Sequence, residues 1–215
     1  MLAVADPGLA PLPRGRHSLT RQQVSDAQRL RLAVALAEVM VEDGYVGTPV
    51  AAILRGAGVS RQTFYELYDD KLACFLDALD LVGAVLVGEL AGVVAGGGDA
   101  TRSPLERAER AVERYLDTLV RHPAFARLFV VEVHAAGPEA LRRRADLQAR
   151  VVDALTDLLG ARSAQARFAC QAFVAAVSAL VTLPLALGDQ EALAGLREPL
   201  VAHLRALVDG GLLDR

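Results

Sequence analysis

The chain has 215 residues, 53% of them apolar, 5% aromatic and 23% charged, with a net charge of −3. That length suits one large or two small domains with a sizeable core. The mildly acidic balance excludes a binder that holds nucleic acid by bulk positive charge; such a role would have to rest on a few placed cations, on backbone N–H groups at helix starts and on dimerisation.

Ala and Leu abound, Trp is absent, and no β-branched alternating stretch occurs, so the expected fold class is all-α. Residues 1–13 are rich in Ala, Pro and Gly without periodicity and read as a tail. Arg14, Arg16 and His17 follow, giving 1–20 as a disordered basic arm that either reaches a minor groove or is simply solvated. A long helix is expected over 25–43, with Ala27, Leu30, Val34 and Ala37 at helical spacing and Gly44 ending it.

Residues 48–71 then read as two short helices joined by a tight turn. Thr48 is an N-cap candidate, and Pro49 sits where a missing N–H costs nothing. Gly58 can take positive φ for the turn, and Ser60 restarts a helix as N-cap. Arg61, Gln62 and Thr63 then occupy the first turn of that second helix, with Phe64 and Leu67 facing inward. A helix, a glycine turn and a second helix with a polar first turn describe a helix-turn-helix, in which Arg, Gln and Thr can bond base edges or phosphates. A surface hairpin of an all-α domain fits the same pattern.

The run Ala57-Gly58-Val59-Ser60-Arg61-Gln62-Thr63-Phe64-Tyr65-Glu66-Leu67-Tyr68-Asp69-Asp70-Lys71 resembles the N-terminal signature of the tetracycline-repressor (TetR) family of transcriptional regulators, over about residues 30–79. The resemblance implies that Arg61, Gln62 and Thr63 approach bases, while Thr48, Tyr65, Tyr68 and Lys71 hold phosphates. Two positions depart from the family pattern: Leu54, where a small residue is usual at a helix crossing, and Leu67-Tyr68, where His or Tyr followed by Phe is usual. The expected DNA-binding domain is 21–70, and 71–215 is expected to form a helical ligand-binding and dimerisation bundle.

A fourth helix is expected from Lys71, capped by Asp69 or Asp70, with Leu72, Phe75, Leu76, Leu79 and Leu86 on one stripe. Gly96-Gly97-Gly98 breaks it. Ser103-Pro104-Leu105-Glu106 is a capping box opening a helix to about 121. Further helices are expected over 123–135, 138–159, 163–183 and 189–208, separated by Pro and Gly. The last two are apolar on more than one face and are expected to pair with a second copy as a homodimer, against the alternative of one buried core helix. Leu86, Tyr115, Phe125, Phe129, Phe168 and Phe173 are candidates for a mostly apolar effector pocket; equally they fit a plain core.

No metal or cofactor motif and no catalytic motif is present: there is no H-E-x-x-H, no phosphate-cradling glycine loop and no G-x-S-x-G. His17, His122, His134 and His203 are scattered, and Arg142-Arg143-Arg144 fans round a helix as a solvated face would. The chain is expected not to be an enzyme. Cys74 and Cys170 read as buried free thiols of a reducing cytosol, and neither a signal peptide nor a membrane span is expected. The expectation is a cytoplasmic, homodimeric regulator, acting as a repressor on a palindromic double-stranded DNA operator and released by a small apolar or amphipathic molecule. The alternative is an α-helical interaction protein that keeps the hairpin without binding DNA.

Overall fold

The computed structural model describes residues 20–94 and 102–212, and every regular element within them is helical. The basic residues 14–17 and the glycines 96–98 lie outside the described residues. Contacts divide the chain into two units, the first ending at Leu79 and the second beginning at Asp80.

The first unit opens with α1 (Arg21–Gly47). Thr20 caps it: its hydroxyl accepts from the Gln23 N–H at 3.2 Å, and the Gln23 side chain accepts from the Thr20 N–H at 2.8 Å. This reciprocal pair satisfies two free donors and adds a turn to the expected helix. Near the C-terminus Gly44 leaves helical geometry at φ 64°, ψ 173°, and the helix kinks there. Helix α2 (Val50–Ala57) crosses α1 closely, since a Cβ on Gly56 would lie 3.1 Å from the Ala35 Cβ. A small residue that this crossing needs is therefore Gly56. Gly58 (φ 60°) turns the chain into α3 (Arg61–Leu67), where Ser60 accepts from the Thr63 N–H at 3.0 Å.

Helix α4 (Lys71–Val94) is capped by Asp70, which accepts from the Ala73 N–H at 2.8 Å. Its first turns bury Cys74, Phe75, Ala78 and Leu79, and Tyr45 meets Phe75 edge-on at 5.1 Å. The first compact unit consequently runs nine residues past the expected boundary at 70, because the three preceding helices need this apolar stripe to close their core.

The second unit contains the rest of α4 and α5 (Pro104–Arg121), α6 (Pro123–Arg127), a π-helical turn (Leu128–Glu132), α7 (Val133–Ala136), α8 (Pro138–Leu159), α9 (Ala164–Leu187), α10 (Gln190–Gly195) and α11 (Arg197–Asp209). Its core joins Leu116 and Leu119 of α5, Val130, Val177 and Val181 of α9, Leu193, and Leu204 of α11. Three expected helices differ in form. The 123–135 helix contains the π turn, whose buried Glu132 is paired with Arg127 at 3.0 Å while Arg127 also donates to the Ala186 carbonyl at 2.8 Å. The 163–183 helix passes through Pro184 and ends only at Gly188 (φ 69°). The 189–208 helix breaks at Gly195–Leu196, where glycine weakens the helix and Pro199 suits the first turn of the next.

Among the described residues α9 is the one helix long and apolar enough to cross a membrane by length and composition. Only 28% of its most apolar window is buried, and Phe168, Leu180, Leu183 and Leu187 are exposed.

Candidate nucleic-acid interface and ligand cavity

The tip of α3 is anchored from below. Phe64 is fully buried, meeting the Tyr65 ring at 5.3 Å and the Tyr68 ring at 5.5 Å. The turn before it is held by α1, since Arg31 donates to the Gly58 carbonyl at 2.9 Å. With the apolar side fixed, Arg61, Gln62 and Tyr65 are exposed, and Thr63 is half-buried. The Arg61 guanidinium lies 5.9 Å from the Tyr65 ring centre, Gln62 donates to Glu66 at 2.9 Å, and the Ser60 and Thr63 hydroxyls are 2.9 Å apart. These are local, solvated contacts that a stronger partner can replace at small cost.

The other expected phosphate contacts are placed differently. Thr48 is buried, and its hydroxyl donates to the Gly44 carbonyl at 2.7 Å, closing the kinked end of α1; Pro49 occupies the N-cap position of α2 without a side-chain bond. Tyr68 is buried too, its hydroxyl donating to Asp77, which also pairs with Arg29 at 3.1 Å. Burial and that bond push the Tyr68 phenol well above its ordinary value. These corrections to Thr48 and Tyr68 share one cause: each hydroxyl is taken up by a group in the unit itself.

Lys71, the only lysine in the chain, is half-buried. Its ammonium donates to the carbonyls of Tyr45 at 2.6 Å and Thr48 at 2.9 Å and lies 4.4 Å from the Tyr45 ring centre. It ties the start of α4 to the α1–α2 joint, and its burial lowers its pKa.

The second unit holds a cavity of about 140 Å³. Leu86, Tyr115, Phe129 and Phe173 line it, from α4, α5, the π turn and α9. Phe125 does not line it, and Phe168 is 68% exposed on α9, correcting both placements. The reason for Phe168 is helical phase: the buried face of α9 carries Ala166, Cys170, Phe173 and Val177, and residue 168 falls between its rows. At Gly83 a Cβ would lie 2.3 Å from Leu147, so α4 and α8 approach closely at the cavity wall.

Sequence reasoning passed over Arg144. Of the three consecutive arginines, Arg142 is exposed and Arg143 pairs with Asp80, but Arg144 turns into the cavity. It donates to the Ser178 hydroxyl and lies 5.8 Å from the Phe129 ring centre. Its Nε is buried without a partner. Burial lowers its pKa, and burial pushes the neighbouring Tyr115 phenol up to about 12 against the opposing effect of Arg144. The signal was available in the spacing: Ala140, Arg144, Leu147 and Val151 stand at i, i+4, i+7 and i+11, one face of α8. Among the described residues no cluster of metal-ligating side chains occurs, and Cys74 and Cys170 are buried free thiols.

An exposed polar tip on a braced hairpin, followed by a helical unit with its own cavity, is the construction of a helix-turn-helix transcriptional regulator. Residues 32–78 match the family model of the tetR family of bacterial regulatory proteins. Among curated proteins it is similar to the HTH-type transcriptional activator FasR of Mycolicibacterium smegmatis, 26% identical over 150 residues and 68% of this chain. The match spans 65% of that relative's length. The fold is that of a TetR-like transcriptional regulator from Rhodococcus sp. RHA1 (TM-score 0.64, 24% identity, 87% of this chain and 98% of that one). It is likewise that of the transcriptional regulator FadR from Bacillus subtilis in complex with stearoyl-CoA (TM-score 0.66, 16% identity, 81% and 96%).

Proposed function

We propose that the chain represses transcription as a homodimer on a pseudo-palindromic DNA operator and is released by an apolar or amphipathic small molecule bound in the second unit. The observation that carries the DNA reading is the α3 tip: Arg61, Gln62 and Tyr65 are exposed directly above a fully buried Phe64. Two such helices about 34 Å apart would enter successive major grooves. The uncapped start of α2 adds backbone N–H groups suited to a phosphate, which helps a chain of net charge −3 to hold DNA. Dimerisation is supported by the exposed apolar side of α9, which a second copy of the same helix would cover.

The effector reading rests on the cavity and is supported by the stearoyl-CoA held in the complex of Bacillus subtilis FadR. Leu86 ties the cavity wall to α4, the helix that begins at Lys71, so a ligand that binds the operator-incompetent form more tightly shifts the population away from DNA.

The test is binding to DNA upstream of the chain's own gene, followed by fluorescence anisotropy against salt. Affinity should fall as salt rises, with a slope of several phosphates. Salt-independent binding, or none, would favour the non-DNA interaction protein. Activation is a second reading, favoured by the activator named in the FasR relative. Transcript levels after gene deletion separate the two, rising for a repressor and falling for an activator.

A further inference from the structure

The cavity has an apolar wall and a half-buried cation, Arg144, for which no acidic partner occurs among the described residues. No acidic side chain lines it among the described residues. Acids on the surrounding elements are committed or face elsewhere: Asp80 pairs with Arg143, Glu132 pairs with Arg127, and Asp146 is exposed on α8. Arg144 keeps one hydrogen bond, to the Ser178 hydroxyl, and its Nε has none. The adjoining Tyr115 cannot supply the missing charge, because burial keeps its phenol protonated until about pH 12. A guanidinium withdrawn from water without an anion is strongly disfavoured, and a planar fork of donors fits a carboxylate best. Arg150 also lines the cavity but is exposed, so water already solvates it.

We propose that the effector is an anionic amphiphile, an apolar chain ending in one carboxylate, with Arg144 receiving the carboxylate and Tyr115 and Ser178 available to hydrogen-bond it. This rests on the reading of the cavity as the effector site. The apolar tail lies along Leu86, Leu147 and Phe173, and the head lies between α5, α8 and α9. Uptake then completes an ion pair that the free protein lacks, and the charge selects for acids over alcohols and amines of equal length.

The test is isothermal titration of the full chain with decanoate, 1-decanol and decanoyl-CoA. Decanoate should bind at least tenfold more tightly than 1-decanol and more tightly than decanoyl-CoA, whose chain ends in a neutral thioester. Arg144→Met should bring decanoate down to the affinity of the alcohol, and Arg144→Lys should keep part of the preference. Arg144→Met should melt at or above the parent temperature, because removing an unpaired half-buried charge costs the fold nothing. Equal affinity for acid and alcohol, tighter binding of decanoyl-CoA, or decanoate binding unchanged in Arg144→Met would overturn the carboxylate assignment while leaving the cavity reading intact. Binding of none of the three probes, or binding unchanged by Val151→Trp, which fills the cavity, would overturn the site itself and this inference with it.

Discussion

The two units treat their charged groups in opposite ways. In the first, the inward cations are all employed: Arg29 meets Asp77, Arg31 holds the Gly58 carbonyl and Lys71 holds two more. Arg61, by contrast, stands in water on the tip. In the second unit Arg144 turns into the cavity, where it donates to a hydroxyl and no acidic side chain lines the wall among the described residues. The difference follows from the size of the partner. A polyanion such as DNA approaches from solvent and is recognised by groups that cost nothing while they wait. A small molecule must be enclosed to be held, so the group that reads its head has to be desolvated beforehand, and the fold carries that cost until the ligand arrives.

The comparison can be broken most forcefully at the support of the tip. Phe64→Ala removes a fully buried ring and should destabilise the first unit by roughly 3–5 kcal/mol, read by urea unfolding, with DNA binding lost as a consequence. Alkaline pH tests the same core next. Burial, reinforced by the Asp77 charge, raises the Cys74 thiol to about 12 from an ordinary 9.0. The folded state therefore holds its proton longer than the unfolded chain. The stability this contributes is complete below pH 9 and is lost as pH rises through 12, amounting to a few kcal/mol, to order of magnitude, in melting curves between pH 8 and 11. A flat profile would mean that Cys74 is solvated.

Lys71→Ala asks whether that lysine is a tie or a phosphate contact. It leaves the Tyr45 and Thr48 carbonyls without their donor and should cost about 1–3 kcal/mol of stability. An unchanged salt slope of DNA binding alongside that loss would make the tie its whole role, whereas a slope smaller by about one would restore the phosphate contact. Gln62→Ala should leave folding untouched and lose roughly 1–3 kcal/mol of preference between operator and altered sites, measured by competition binding. Equal losses on every sequence would show that Gln62 reads no base. The smallest effect belongs to Ser60→Ala, which removes the α3 cap and should cost about 1 kcal/mol in thermal unfolding.

The short-range devices were readable from the residues alone. The Ser103 capping box, the Gly58 turn, the Ser60 cap and the ends of α5 and α8 all appear where side-chain chemistry requires them, because each is settled within four residues. The exposure of Arg61, Gln62 and Tyr65 followed in the same way from the burial of Phe64. Less legible were the partners that lie far along the chain. Thr48, Tyr68 and Lys71 are polar residues beside a helix-turn-helix, and by sequence each looks free for DNA; the kink at Gly44, Asp77 and the Tyr45 carbonyl bring each a protein partner. Phe168 and Arg144 were assigned by residue type, an aromatic inward and an arginine outward. Helical phase put the aromatic outside and the arginine inside.

By itself the sequence determined the helical class, most of the breaks, the caps at Ser60 and Ser103 and the polar tip that follows Ser60, since propensity and capping act over a single turn. Tertiary structure decided which hydroxyls were spent, which small residue lets α1 and α2 cross, and that one arginine of three enters the cavity. Those outcomes depend on which surfaces meet, and a chain's spacing states only which residues could share a face.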